Sequence, residues 1–154
     1  MWAASFFLGW ALAIAPSAAW IGVRGSLGWE AVLLSAAVAS WAASFDVLYH
    51  TQDFDFYNES GLHSVAKRFG VHSAFRIARV LDVLAVVCLV GVGIGFGLVW
   101  PYYVGCGVVA VLLVYKHNMV SPDDLSCMGM AFFRINAYVS LTVFVATIVA
   151  VLIV

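Results

Sequence analysis

The longest polar interval of this chain runs from Asp46 to Gly70 and contains four of its eight acidic residues and two of its four histidines. Carboxylates are hard oxygen ligands, which Mg²⁺ combines with phosphate oxygens and water in its protein sites. The interval therefore has the residue types of a magnesium–diphosphate site, although spacing alone favours a solvated, charged loop. Five of its side chains, spaced three or four residues apart, share one face if the segment is helical: Asp46, Tyr49, His50, Asp53 and Tyr57.

A basic segment follows these carboxylates. Asp55 comes two residues after Asp53, and then come His63, Lys67 and Arg68. Lysine and arginine side chains can neutralise the charge of a bound phosphate group. Apolar residues at helical spacing lie beside these cations, so the sequence predicts a short amphipathic helix resting at the membrane interface: Leu62, Val65, Ala66 and Phe69.

The rest of the chain is strongly apolar. Its residues are 65% hydrophobic and 10% charged, and the mean hydropathy of +1.06 lies far outside the range of soluble domains. We therefore predict an integral membrane protein with the lipid bilayer as its surroundings. The net charge of −1 gives no reason to expect nucleic acid as a partner. Cys88 and Cys106 fall in apolar runs, which is typical of small buried hydrophobes rather than of a disulfide.

A membrane-spanning helix needs about 20 predominantly apolar residues. The segment before Arg24 has no basic residue, which argues against a signal peptide. No predicted span carries a charge near its middle, which argues against a small transporter. We predict an all-α, polytopic bundle in a single domain, 1–154, with about five spans at 2–22, 29–49, 80–98, 101–118 and 131–153.

The basic residues are distributed unequally between the two sides of such a bundle. Because positive residues stay in the cytoplasm, the 50–79 loop is predicted to face the cytoplasm of a plasma (inner) membrane and the C-terminus to face outward. Only Arg24 lies on the opposite side. The cytoplasmic side carries or borders six basic residues: Lys67, Arg68, Arg76, Arg79, Lys116 and Arg134.

Several other patterns have structural explanations. The alternate glycines of GVGIGFG, at 91–97, follow no strand, so they indicate close helix packing rather than a dinucleotide loop. SPDDL, at 121–125, fits a helix start with Ser121 as its N-cap better than a metal site. Arg79 and Asp82, three residues apart, fit an interfacial ion pair.

Two further features leave an alternative open. His50 and His117 both fall near cytoplasmic ends of predicted spans, so ligation of a haem between them is conceivable. Neither lies deep in the bilayer, and we do not favour haem. Asn136, inside the last predicted span, fits a hydrogen bond between packed helices better than a substrate contact.

Two separated motifs carry a family resemblance. The first motif, at 49–70, resembles the second aspartate-rich motif of the UbiA superfamily of intramembrane prenyltransferases; it reads YHTQDFDFYNESGLHSVAKRFG. The likeness is to the branch with Q-D-x-E-[FY]-D-x-x-x-G-L-H-S. The second motif, at 115–140, reads YKHNMVSPDDLSCMGMAFFRINAYVS. It resembles a later motif of the same branch, Y-E-H-x-L-V-x-P-x-D-L…A-F-F-x-x-N. That branch is associated with polyprenyl transfer to 4-hydroxybenzoate and with the corresponding step of menaquinone synthesis.

The resemblance implies both a reaction and a set of site residues. Mg²⁺ would grip the diphosphate of a polyprenyl donor and stabilise its departure. A ring carbon of a hydroxylated aromatic acceptor, either 4-hydroxybenzoate or 1,4-dihydroxy-6-naphthoate, would then attack the resulting allylic cation, and the ring would lose a proton. Asp53 is implied as the main metal ligand, supported by Asp55 and Asp46, and Tyr49 as a pocket residue. The implied diphosphate ligands are Lys67, Arg68 and His63.

The chain departs from the family pattern in two ways. Tyr57 stands where the motif has its second aspartate, and tyrosine is a weaker Mg²⁺ ligand than a carboxylate because its unperturbed pKa is about 10. The first aspartate-rich motif, N-D-x-x-D-x-x-x-D, is absent from the sequence. We therefore expect the C-terminal half of a nine-span fold, which is incomplete alone and needs a partner chain or self-association. The competing expectation is a non-catalytic membrane remnant.

Overall fold

A computed structural model describes residues 3–52, 64–121, 125 and 128–153 of the chain. The described residues form no β-strand element, which confirms the all-α fold class. The helices of this part of the chain are α1 Ala4–Arg24, α2 Trp29–Gln52, α3 Val65–Phe69, α4 Val71–Gly95, α5 Trp100–Met119 and α6 Met128–Ile153.

Four segments are long and apolar enough to cross a membrane, namely Ala4–Arg24, Trp29–Gln52, Val71–Gly95 and Phe133–Ile153. They correspond to four of the five predicted spans, and the chain is a multi-pass membrane protein. The fifth predicted span is α5, a 20-residue helix that is not among the four. Its first turn is Trp-Pro-Tyr-Tyr and its last turn contains Lys116 and His117, and these residues lower its average hydropathy.

The helix α2 packs along α1 on one side and α4 on the other. Small buried side chains allow this close approach, among them Ala42 and Ala43 in α2 and Ala78 in α4. On α1, Gly9 lies against the Ala39 carbonyl so closely that a Cβ atom would collide with it. Helix contact through small residues is the usual way that membrane helices associate, since lipid provides little hydrophobic drive.

Gly91, Gly93 and Gly95 pack closely against other helices, as predicted, whereas nothing lies within 4 Å of a Cβ atom built on Gly97. A Cβ atom on Gly93 would lie 2.7 Å from the Tyr102 ring, and one on Gly95 would lie 2.6 Å from Trp29. Gly97 has φ +62°, which favours glycine in the turn between α4 and α5. Pro101 stands in the first turn of α5, so the predicted break between these helices is confirmed.

The segment before residue 80 differs from the prediction in two respects. The predicted short helix is present as α3, but Val65 and Ala66 are buried in the protein rather than resting on the membrane. The helix α4 begins at Val71, well before residue 80, so Asp82 is the twelfth of its 25 residues. The helix thus extends through the basic residues that precede the apolar run, and Asp82 lies near the start of the predicted span at 80–98.

Candidate functional site

The C-terminal end of α2 carries the described part of the predicted acidic stripe. The helix continues to Gln52, past the predicted boundary at 49, so these side chains are helical as expected. Asp46 Oδ2 lies 3.3 Å from His50 Nδ1, an i,i+4 pair along the helix. His50 Nδ1 also lies 3.3 Å from Ser5 Oγ of α1. Tyr49 is exposed on the same end of the helix.

The predicted diphosphate-binding cations lie on α3. Ser64 caps this helix, its Oγ accepting a hydrogen bond from the Lys67 backbone N–H at 3.1 Å. The Arg68 guanidinium lies 5.4 Å from the centre of the Phe69 ring. One apolar cluster brings α3 beside the end of α2, because Val65 packs with Val47 and other buried residues there. The protein thus places the elements carrying Lys67, Arg68, Asp46 and Tyr49 next to one another.

The remaining predicted site residues lie outside the described residues, and so does part of the predicted helix start at 121–125. Within the ranges that the structure describes, no group of three or more His, Cys, Asp or Glu side chains could hold a metal ion. The predicted magnesium ligands therefore stay a prediction. Those lying outside are Asp53, Asp55, Tyr57 and His63.

A buried charge cluster joins α2, α4 and α5 at the same end of the bundle. Lys116 Nζ lies 2.7 Å from Asp82 Oδ2, and His117 Nε2 lies 2.7 Å from the same oxygen. Lys116 also donates to Ser44 Oγ at 3.4 Å, and Ser44 donates to the Ala78 carbonyl at 3.0 Å. Lys116 is 1% exposed and Asp82 3%, which is rare for charged groups unless they are paired.

This cluster corrects one prediction and weakens one alternative. Asp82 does not pair with Arg79 but with two residues of another helix, because α4 turns the carboxylate inward while Arg79 is exposed. His117 Nε2 contacts Asp82 and His50 contacts Asp46, so the two histidines belong to different clusters rather than to one haem. The sequence contained a signal for this ion pair, because Asp82 lies in one predicted span and Lys116 lies in the next.

An apolar cavity of about 370 Å³ lies between α2, α4, α5 and α6. Trp41, Leu89, Leu113 and Phe144 are among its lining residues. Trp41 precedes Asp46 by five residues on α2, about 7.5 Å along the helix axis at 1.5 Å per residue. The cavity therefore lies deeper in the bundle than the polar end of α2.

Asn136 does not make the predicted packing hydrogen bond through its side-chain oxygen. Its Oδ1 atom is buried and has no partner in the part of the chain that the structure describes. The Trp41 indole nitrogen and Asp82 Oδ1 are likewise buried there without a hydrogen-bond partner. With His117 Nδ1, four buried side-chain atoms of the described residues thus have no hydrogen-bond partner there.

Comparison with known proteins finds similarity to 4-hydroxybenzoate octaprenyltransferases. A 4-hydroxybenzoate octaprenyltransferase of Vibrio parahaemolyticus is 29% identical over 144 residues, which is 94% of this chain and 50% of the relative. That of Salmonella paratyphi B is 31% identical over 137 residues, 88% of this chain and 45% of the relative. That of Methylobacillus flagellatus is 27% identical over 130 residues, 84% of this chain and 44% of the relative.

The chain spans about half the length of these relatives. No solved structure matches it significantly. The sequence model of the UbiA prenyltransferase family matches residues 1–138, which is most of the chain. The resemblance in the two motifs is thereby confirmed, and this chain belongs to the UbiA prenyltransferase family.

Proposed function

We propose that the chain forms one part of an aromatic polyprenyltransferase of quinone biosynthesis in the plasma (inner) membrane. The donor is a polyprenyl diphosphate, and the acceptor is a hydroxylated aromatic ring such as 4-hydroxybenzoate or 1,4-dihydroxy-6-naphthoate. The family match over residues 1–138 is the observation that carries this proposal. It is supported by the adjacency of α2 and α3, which bear side chains of the types that such chemistry needs.

The polar end of α2 and the helix α3 are proposed to hold the diphosphate. Asp46 offers a partly exposed carboxylate of the kind that Mg²⁺ binds, and Asp53 and Asp55 follow directly after α2 in the sequence. Lys67 and Arg68, with His63 before them, would offset the remaining phosphate charge. When bound, Mg²⁺ would supply Lewis-acid stabilisation of the departing diphosphate.

The apolar cavity between α2, α4, α5 and α6 is proposed to hold isoprene units of the donor. Its walls exclude water from a hydrocarbon chain, which protects a reactive allylic cation from hydrolysis. Because Trp41 and Asp46 lie on the same helix, a donor held by its diphosphate at the end of α2 could extend along that helix into the cavity. Tyr49, exposed at the same end, would line the acceptor pocket.

We further propose that the described helices are the C-terminal half of the family fold and that 1–154 is one membrane domain. A second half carrying the first aspartate-rich motif would complete the site, either as a partner chain or within a longer protein. The alternative is a non-catalytic remnant or subunit. One observation favours this alternative, namely that Tyr57 stands where the motif has a metal-binding aspartate.

Complementation tests this proposal. The chain would be produced in membranes alone and together with the N-terminal half of a related enzyme, and radiolabelled prenyl incorporation into each acceptor would be measured. We expect transfer only in the combined membranes, because diphosphate departure needs metal ligands on both sides. A matched control carries Asp53→Asn in the combined membranes. No transfer by the combination would favour the remnant, and transfer by the chain alone would refute the split site.

A further inference from the structure

The buried cluster of Ser44, Asp82, Lys116 and His117 takes no direct part in the proposed chemistry. Its members come from three helices, and each side chain except that of His117 is 5% exposed or less. Among the described residues, its ion pairs are the ones that connect different helices, since the Asp46–His50 pair lies within α2. The cluster therefore joins helices that would otherwise meet through apolar contacts.

The hydrogen bonds of the cluster connect a donor on α5 to acceptors on α2 and α4. Lys116 donates to Asp82 Oδ2 at 2.7 Å and to Ser44 Oγ at 3.4 Å. Because the Ser44 hydroxyl proton is given to the Ala78 carbonyl at 3.0 Å, its oxygen is free to accept from the ammonium group. A single lysine thus contacts α2 and α4 at once, with Ser44 closing the connection between those two helices.

The position of the cluster links it to the proposed diphosphate site. Ser44 precedes Asp46 by two residues and Tyr49 by five, so a shift of α2 at Ser44 displaces both. Ala78 belongs to the apolar cluster that also holds Val65 of α3. The contacts of Ser44 therefore fix α2 against the same core on which α3 rests.

We propose that Lys116 is a positioning residue for the diphosphate site. Its ammonium group holds the C-terminal part of α2 in register with α4 and α5, so that the acidic end of α2 keeps its place beside the cations of α3. The inference rests on the proposed function for the identity of the site, but the register itself can be measured without substrate. Lys116 acts through helix position and touches neither diphosphate nor metal.

The chemistry of buried ion pairs allows positioning to be separated from folding. Removing one partner of a buried pair leaves an uncompensated charge and is strongly destabilising, whereas replacing both partners by apolar residues is often tolerated. Lys116→Met combined with Asp82→Leu should therefore remain folded while losing the tether. Ser44→Ala removes the contact to α2 and leaves the ion pair intact. Ser40→Ala is the matched control, a buried serine one turn earlier on the same helix.

The experiment places spin labels at Gln52→Cys on α2 and Asn118→Cys on α5, two exposed positions, in a chain whose three cysteines are replaced by alanine. The distance distribution is measured in liposomes, and binding of a Mg²⁺-loaded polyprenyl diphosphate analogue is measured with the N-terminal half of a related enzyme present. We expect a narrow distribution in the parent and in Ser40→Ala. In Ser44→Ala and in the double variant, the distance distribution should broaden or shift. The affinity of these variants for the diphosphate analogue should be lowered about tenfold.

The outcomes separate the inference from the proposed function. An unchanged distance distribution in the folded double variant would overturn the inference, and so would a disturbed distribution with unchanged affinity. If the distances respond as expected but the parent binds no analogue, the register role of Lys116 is supported and the proposed function fails. Lys116→Arg, which keeps the charge and the pairing to Asp82, should retain more affinity than Lys116→Met alone.

Discussion

Gly93→Ala tests a close helix contact in the α4–α5 hairpin. A Cβ atom at this position would lie 2.7 Å from two carbons of the Tyr102 ring and 3.2 Å from the Tyr103 ring. Tyr102 cannot move away easily, because it is 3% exposed and its hydroxyl donates to the Leu89 carbonyl at 2.9 Å. Overpacking of this kind costs about 1–3 kcal/mol. Alanine regains up to about 1 kcal/mol of helix propensity, so we expect a net destabilisation.

Gly107→Ala is the matched control in the same hairpin. Gly107 is also helical, and nothing lies within 4 Å of a Cβ atom built there. It should be neutral or stabilise by up to about 1 kcal/mol, from helix propensity alone. The measurement is the free energy of unfolding in mixed micelles, followed by circular dichroism. Equal effects of the two substitutions would refute the packing of Tyr102 on Gly93.

A double-mutant cycle identifies the partner in this contact. In a Tyr102→Ala background the ring is absent, so Gly93→Ala should lose most of its cost, and the interaction energy should be about 0.5–3 kcal/mol. If the cost is unchanged without the ring, the strain has another source, such as the backbone of α4.

Three further predictions concern orientation and metal binding. Alkaline phosphatase fused after Val154 should be active in a bacterial host, because residues 50–79 are predicted to face the cytoplasm and the C-terminus to face outward. An inactive phosphatase fusion together with a fluorescent fusion of green fluorescent protein at the same site would contradict this. Diphosphate-analogue binding should require Mg²⁺ and weaken in Asp53→Asn, measured by titration calorimetry with and without chelator; equal affinities would indicate a solvated surface. Tyr57→Asp should raise transfer in the complemented membranes if that position faces the metal.

Helix positions follow largely from the sequence because they depend on local properties. Runs of apolar residues predicted α1, α2 and α6 within a few residues, and Pro101 predicted the break before α5. The start of α4 was missed because apolarity marks the part of a helix that lies in lipid, while hydrogen bonding continues into polar residues. Arg76 and Arg79 are helical although they precede the apolar run.

The candidate site could be predicted only in part, for a different physical reason. Residue types and spacing along one helix are local, so the helical position of Asp46 and Tyr49 at the end of α2 was predicted correctly, while their roles stay predictions. The partners of Asp82 depend on the rotation of α4 relative to α5, which no local pattern determines. Sequence adjacency suggested Arg79, yet a buried carboxylate takes whichever cation shares its interface, and here these are Lys116 and His117.

Two acidic side chains of the described helices have partners within this chain and do not need a second half of the fold for pairing. Asp82 Oδ2 lies 2.7 Å from Lys116 Nζ and Asp46 Oδ2 lies 3.3 Å from His50 Nδ1, so both carboxylates have a side-chain partner without another chain. Charged side chains are costly inside a membrane unless they are paired or face a cavity. We therefore expect the chain alone to accumulate in membranes as a folded bundle while remaining inactive. Rapid degradation without the other half would contradict this, and would mean that helix packing, rather than missing metal ligands, limits its activity.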